Sequence, residues 1–287
     1  MRLLLNTNEQ PLMLATRVDA PMGTPVTVSV RDLRFPDTYY SRATGKVNIV
    51  HPVFFTRLPL SPEKAEFTVQ GGKVLEVKHY PLYTNDSVYN NNSDVRSFSK
   101  FIQFFARRKN ILHAGAHNDE DAGSWYASDD GKFRLQYVDE IYDWRKMIID
   151  PPTGKSIPNP NYGKPVTSSM QMGASDKRLR IAKKYAYNYT IPEFIAISLH
   201  EFAHGFVNTN PADEEEADDN AVEIYSGMGF PRNEGANAFL QVFQRANKAR
   251  PDSPQDDANV KRMRKILAKL NKMDKKTFKI IGDGQEI

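Results

Sequence analysis

His200, Glu201 and His204 belong to the string His-Glu-Phe-Ala-His, which matches the pattern H-E-x-x-H. On an α-helix, residues four positions apart lie one above the other, so both imidazoles can bind one metal ion. The glutamate of such a pattern is not a ligand and faces the open coordination position, where it acts as a general base. The motif predicts metal-dependent hydrolysis, with Glu201 as the catalytic residue and zinc as the cofactor.

The residues around the motif predict the helix that it needs. Thr190 and Glu193 match a capping box, and Pro192 lies in the first turn, where a proline leaves no amide unpaired. We expect the helix to begin near Ile191 and to end near Gly205. Apolar residues then cover almost its whole circumference, as in a helix buried on all sides. They are Phe194, Ile195, Ala196, Ile197, Leu199, Phe202, Ala203 and Phe206.

Polar side chains buried in such a helix cost free energy unless they have partners. Two core histidines can be satisfied by backbone carbonyl groups, which is the structural alternative. A divalent cation accounts for His200, Glu201 and His204 together, and we favour it for that reason.

A second helix is expected to supply the third zinc ligand. Asn210 and Pro211 read as its N-cap and first residue, and the helix covers residues 213–225. At about 100° per residue, an apolar stripe forms on one face. It consists of Ala217, Ala221, Ile224 and Met228.

Two acidic residues, Glu214 and Asp218, lie beside this stripe, whereas most of the other carboxylates fall on the solvated face. Glu214 is therefore the preferred third ligand, with Glu215 as the second choice and Glu216 as the third. Asp218, one turn later, is placed to accept the second imidazole proton of a ligating histidine and to fix its tautomer.

This pattern resembles the gluzincin metallopeptidases. The string from Glu214 to Ala221 and the string from Gly227 to Pro231 follow H-E-F-A-H as in the families of HtpX and the CAAX-processing protease. The resemblance covers about residues 190–270 and implies a zincin-like fold in which Glu214 binds zinc. The segment between His204 and Glu214 is shorter than in those families. The soluble ImmA/IrrE-like peptidases are the alternative relatives.

Composition limits the remaining function classes. The chain has 287 residues, 40% of them hydrophobic, and no cysteine, so a zinc site must use His and carboxylate ligands. No stretch approaches the ~20 apolar residues of a membrane span. We see no signal or transit peptide and expect a cytoplasmic protein or one packaged in a particle. A formal charge of +4 is small, and we do not expect nucleic acid as a partner.

The fold class expected is α+β, with a β-rich N-terminal domain over residues 1–94 and a zincin-like catalytic domain with C-terminal helices over residues 95–287. Val26, Val28 and Val30 alternate with polar residues, which indicates a half-buried strand. Residues 66–70 and 73–77 flank Gly71-Gly72 and predict a hairpin. Asp130-Gly131 predicts another.

Helical periodicity and loop composition predict the structure of the remaining segments. Phe98, Phe101, Ile102 and Phe105 predict one helix, and residues 257–273 predict a basic helix with a stripe of Val260, Met263, Leu267 and Leu270. Residues 150–176 read as a long loop, either a substrate flap or a surface excursion. Residues 178–186 read as the edge strand along which an extended peptide binds. His113 and His117 offer a weak second metal site.

The function expected is zinc-dependent hydrolysis of peptide bonds in a peptide or protein substrate. Zinc held by His200, His204 and Glu214 activates water, and Glu201 transfers the proton to the leaving amine. Tyr225, Arg232 or a residue of the 150–176 loop is the expected oxyanion donor. The alternative is a zincin-fold structural or interaction protein without turnover, such as a component of a viral particle or another larger protein assembly.

Overall fold

The structure is a computed structural model that describes residues 1–82, 92–115, 126–128, 130–143, 145–150, 153–166, 168–172, 178–249 and 254–282. It has mixed α+β architecture, as the sequence predicts. The first 82 residues form strands β1 (Arg2–Asn6), β2 (Leu12–Asp19), β3 (Pro25–Asp32), β4 (Tyr39–Lys46), β5 (Val53–Leu58), β6 (Lys64–Gln70) and β7 (Lys73–Pro81).

Helices dominate the described residues from 92 onward. They are α1 (Ser93–Gly115), α2 (Lys183–Ala186), α3 (Ile191–Phe206), α4 (Glu214–Gly227), α5 (Arg232–Ala249) and α6 (Pro254–Gly282). Short strands lie between the first two of these helices. They are β8 (Tyr126–Ala127), β9 (Arg134–Val138), β10 (Met147–Ile149), β11 (Ser156–Pro158), β12 (Met170–Met172) and β13 (Arg178–Ala182). No helix within the described ranges is long and apolar enough to cross a membrane.

The N-terminal strands form two antiparallel sheets, with orders β1-β6-β3-β4 and β5-β2-β7. The predicted strand around Val26, Val28 and Val30 is confirmed as β3, and all three side chains are buried. The predicted pairing across Gly71-Gly72 is wrong. Strand β6 pairs with β1 and β3, whereas β7 pairs with β2 in the other sheet.

Gly71 explains why the chain changes sheets at this point. Its φ is +85°, and a Cβ atom there would lie only 2.1 Å from the carbonyl oxygen of Pro25. The backbone approaches the start of β3 so closely that only glycine fits. Gly71 and Gly72 therefore connect a strand of one sheet to a strand of the other, and they do not form the turn of a hairpin.

The third sheet lies next to the H-E-x-x-H helix and has the order β12-β13-β9-β8. The predicted hairpin at Asp130-Gly131 is confirmed, with Tyr126 opposite Leu135. The predicted edge strand is wrong, because β13 lies between β12 and a parallel β9. Within the described residues, the edge strand that contacts α3 is β12. It belongs to the predicted 150–176 loop, which also contains β11; residues 151–152, 167 and 173–176 of that loop lie outside the described residues.

Most of the buried apolar side chains of the described residues belong to one core cluster. The predicted helix of Phe98, Phe101, Ile102 and Phe105 is confirmed as α1, with all four side chains buried. One apolar cluster contains these residues together with Val28 of β3 and residues of α3 to α6. The boundary near residue 94 stays a prediction.

Helix α3 is buried because other elements surround it. It packs against α1, α4, α5, β12 and β4. On the α1 side, the rings of Phe98 and Phe202 stack with centroids 4.3 Å apart, and Phe133 meets Phe202 edge to face at 5.9 Å. Aromatic packing of this kind adds about 0.5–1.5 kcal/mol per pair to the area buried. The helix that carries the motif is therefore held firmly in the core.

The C-terminal helix forms as predicted but buries a different face. Val260 and Leu267 of the predicted stripe are 47% and 39% exposed, whereas Asn259, Arg262 and Ile266 are buried with Leu270. The predicted stripe does not include Arg262. The structure turns it inward because carboxylates of α4 pair with it there.

Candidate metal centre

The start of α3 follows the predicted capping box. The hydroxyl of Thr190 accepts the backbone N–H of Glu193 at 3.3 Å, and the Glu193 carboxylate accepts the Thr190 N–H at 2.9 Å. These bonds satisfy amides that the helix itself leaves free. The predicted start at Ile191 is confirmed, and it fixes which face of α3 carries His200 and His204.

Helix α4 begins three residues later than the Asn210-Pro211 signal predicts. Its N-cap is Asp213, whose carboxylate accepts the N–H of Glu216 at 3.0 Å. The carboxylate of Glu216 accepts the backbone N–H of Thr209 at 2.8 Å, and Glu215 pairs with Lys265. Glu215 and Glu216 are therefore engaged away from the histidines, so Glu214 is the member of the acidic run that faces them.

His200, His204 and Glu214 meet at one point. The Nε2 atoms of the two imidazoles are 3.2 Å apart, and Oε2 of Glu214 lies 3.3 Å from His200 Nε2 and 3.7 Å from His204 Nε2. Zinc binds imidazole nitrogen at about 2.0–2.1 Å, so neighbouring ligands of a tetrahedral ion lie about 3.3 Å apart. The three atoms have the spacing of one face of that tetrahedron.

The outer nitrogen of each imidazole faces an acceptor. Nδ1 of His200 is 3.0 Å from Oδ1 of Asp218, and Nδ1 of His204 is 2.8 Å from the carbonyl oxygen of Pro211. An acceptor at Nδ1 favours the proton on that atom and leaves the Nε2 lone pair free for a metal. The chemistry of the donor set therefore fits a zinc ion, with Asp218 in the place predicted for it.

Glu201 lies beside the three ligand atoms but is held by a different group. Its Oε2 accepts the backbone N–H of Met172, in β12, at 3.1 Å. Burial raises the pKa of the Glu201 carboxyl, although the two histidines oppose this shift. A carboxylate with a raised pKa accepts and releases a proton more readily near neutral pH.

The electrostatics of the centre favour a cation. Burial lowers the pKa of His200, but its close contacts with Asp218 and Glu214 outweigh this and raise the pKa to about 10. Partial burial raises the pKa of Glu214, yet its contacts with both histidines bring that pKa well below the usual range. Glu201, Glu214 and Asp218 thus place an excess of negative charge around the imidazoles, and a divalent ion compensates it.

Arg262 is a residue of this centre that sequence reasoning missed. Its guanidinium contacts Asp218 at 2.7 Å and Glu214 Oε2 at 3.0 Å, and it lies over the ring of Phe243 at 4.8 Å from the centroid. A run of lysines and arginines on α6 gave no signal that one of them faces inward. The contacts join α6 to the same carboxylates that serve the histidines.

An open cavity of about 620 Å³ lies over the three ligand atoms. One wall is apolar and comes from Ile197 of α3 and from Phe239, Val242 and Phe243 of α5. β12 also lines the cavity, and Arg145, Asn259 and Arg262 add polar groups. A cavity of this size accommodates several residues of an extended ligand.

Of the predicted oxyanion donors, Tyr225 and Arg232 do not line this cavity, whereas residues 168–172 of the predicted 150–176 loop do. Tyr225 is buried, and its hydroxyl donates to the carbonyl oxygen of Pro231 at 2.9 Å. Arg232 donates to Asn271 at 2.6 Å, and neither residue belongs to the described cavity lining. Both are engaged near the start of α5, where the chain leaves α4.

Among the described residues, His200, His204 and Glu214 are the one group of His, Asp and Glu side chains close enough to share an ion. The side chains of His113 and His117 lie outside the described part of the chain. Compared with known proteins, the chain matches no family model, no curated protein and no solved structure. The inference about the chemistry of the centre therefore depends on the geometry of its residues and not on similarity to a known protein.

Proposed function

We propose that this chain is a zinc-dependent metallopeptidase with a zincin-like catalytic region of the gluzincin type. The observation that carries the proposal is the spacing of 3.2, 3.3 and 3.7 Å between His200 Nε2, His204 Nε2 and Glu214 Oε2. With Glu201 adjacent and held by a backbone amide, the set contains three ligands and one separate base. Catalytic zinc sites have this composition.

Different side chains of the chain bind the metal ion and transfer the proton. His200, His204 and Glu214 would hold the ion, which would supply the Lewis acidity that polarises a carbonyl group and acidifies water near neutral pH. Glu201 keeps one oxygen on the Met172 amide and uses the other to take a proton from water. It then delivers that proton to the amine that leaves when the peptide bond breaks.

The cavity supports a peptide as the substrate. β12 is one of the two edge strands of its sheet within the described residues, and all of it lines the cavity. An extended peptide gains backbone hydrogen bonds when it adds to such an edge. The apolar wall of Phe239, Val242 and Phe243 accepts an apolar side chain of that peptide.

A cleavage assay with casein-type substrates tests the proposal. We expect cleavage by the zinc-loaded protein, loss of cleavage in the presence of a chelator and recovery when zinc is restored. Zinc content is measured in the same samples. A protein that binds zinc at His200 and His204 and never cleaves a peptide contradicts the proposal and supports the alternative, a zincin-fold protein without turnover.

A further inference from the structure

Arg145 lines the cavity over the histidines and is not one of the three proposed metal ligands. Its Nε and Nη2 atoms donate to the two carboxylate oxygens of Asp143 at 2.8 and 2.6 Å. The Asp143 side chain is only 5% exposed, whereas that of Arg145 is 67% exposed. A buried carboxylate thus holds an exposed guanidinium in a fixed orientation.

The backbone around Arg145 is also held. The N–H of Arg145 donates to Asp143 Oδ1 at 3.1 Å, and the Arg145 carbonyl accepts from the Asn159 side chain at 2.8 Å. Arginine has five N–H groups in a planar fork, and the bidentate pair with Asp143 uses two of them. Among the described residues no other side chain bonds the remaining edge of the guanidinium, which can therefore bind a ligand in the cavity.

Arg145 interacts electrostatically with one of the proposed metal ligands, Glu214. The hydrogen bond with Asp143 is the largest cause that raises the pKa of Arg145, and the negative charge of Glu214 contributes to the same shift. A group bound by Arg145 therefore lies within electrostatic reach of the centre. Since the fork of arginine matches a planar carboxylate, a carboxylate is the ligand chemistry that fits.

We propose that Arg145, oriented by Asp143, is a specificity-determining residue that binds a carboxylate of the peptide substrate, supplied either by its C-terminus or by an acidic side chain. The inference rests on the proposed peptidase function and names the substrate class of that site. Neither residue takes part in the proton transfer assigned to Glu201.

Direct binding to the zinc-loaded Glu201→Gln variant tests this inference without requiring turnover. The probes are four fluorescein-labelled hexapeptides of Leu, Phe and Ala. One has a free C-terminal carboxylate and one a C-terminal amide. Two more carry the amide and a single internal Glu or Gln. Fluorescence anisotropy gives the affinity of each.

The expected result is about tenfold tighter binding of a carboxylate peptide than of its neutral counterpart, as for one charge-assisted hydrogen-bonding pair. A preference in the first pair of peptides identifies the C-terminus as the source, and a preference in the second pair identifies the side chain. Adding Arg145→Gln removes the preference, and Arg145→Lys retains part of it. Lys146→Gln, the same change of charge at the exposed neighbouring residue, leaves it intact.

The preference is a ratio measured within one protein, so a general loss of stability does not imitate it. Equal binding of all four peptides overturns the inference, as does an equal effect of Arg145→Gln and Lys146→Gln. Cleavage of the neutral peptides by the wild-type protein tests the peptidase function separately. Failure of that cleavage with an intact binding preference contradicts the peptidase function and leaves Arg145 as a residue that binds peptide carboxylates.

Discussion

Arg262 forms two hydrogen bonds with Asp218, from Nε to Oδ2 at 2.7 Å and from Nη2 to Oδ1 at 3.0 Å. The side chains are 10% and 4% exposed, so the ion pair is buried. Asp218 Oδ1 is also 3.0 Å from Nδ1 of His200. The orientation of a proposed zinc ligand on α3 is therefore linked through α4 to a residue on α6.

Arg262→Gln should weaken both the fold and zinc binding. Removing one partner of a buried ion pair costs about 3–5 kcal/mol of stability. Loss of a group that supports a metal ligand lowers metal affinity by about 10–100-fold. Chemical denaturation and zinc titration measure the two effects. Arg264→Gln, an exposed arginine on the same helix, is the matched control and should change neither quantity. Equal effects of the two variants would contradict the role of Arg262.

Glu214→Gln and Glu215→Gln distinguish the ligand from its neighbour. Glu214 faces both histidines, whereas Glu215 pairs with the exposed Lys265. Loss of a residue that only supports a metal ligand lowers metal affinity by about 10–100-fold. Loss of Glu214, a proposed ligand itself, should therefore reduce zinc affinity by more than about 100-fold. The Glu215 variant should bind zinc normally in the same titration. The opposite order would transfer the ligand role to Glu215.

Gly71→Ala should destabilise the protein more than Gly23→Ala. Both glycines have positive φ, +85° and +81°, so alanine costs about 1–2 kcal/mol of backbone strain at either position. At Gly71 the added Cβ also meets the Pro25 carbonyl oxygen at 2.1 Å, whereas nothing lies within 4 Å at Gly23. Unfolding free energies should therefore differ by at least about 2 kcal/mol. Similar values would mean that the chain does not cross between sheets this closely.

How much of this was predictable from the sequence depends on the range of each interaction. The capping box at Thr190 and Glu193 acts over three residues, so the start of α3 could be predicted correctly. Arg262 and its partner Asp218 are 44 residues apart in the sequence. The contact of Gly71 with Pro25 likewise joins segments that are distant in the sequence. Local sequence patterns give no information about such distant partners. For this reason the buried face of α6 and the pairing of β6 with β7 were predicted incorrectly.

Stability should fall as pH rises through the titration of Glu234. Burial raises the pKa of this carboxyl from 4.5 to about 7, although hydrogen bonds from Ser41, Thr190 and the Arg42 amide oppose it. The folded state therefore binds more protons than the unfolded state between pH 4.5 and about 7, and stability decreases across that window.

Glu234→Gln removes this titration. The free energy of unfolding of the variant relative to the wild type should rise by about 3 kcal/mol between pH 4.5 and pH 8. Urea denaturation of both proteins at several pH values measures the difference. Parallel pH profiles of the two proteins would show that the carboxyl does not titrate in this range.

Zinc content and peptide cleavage of Glu201→Gln, measured on one preparation, test the central claim most directly. Glu201 is the proposed base and not a ligand, and the amide of Met172 holds one of its oxygens. We predict about one zinc ion per chain, as in other sites with three protein ligands, and no cleavage of a casein-type substrate that the wild type cleaves. Normal cleavage by Glu201→Gln would contradict the account.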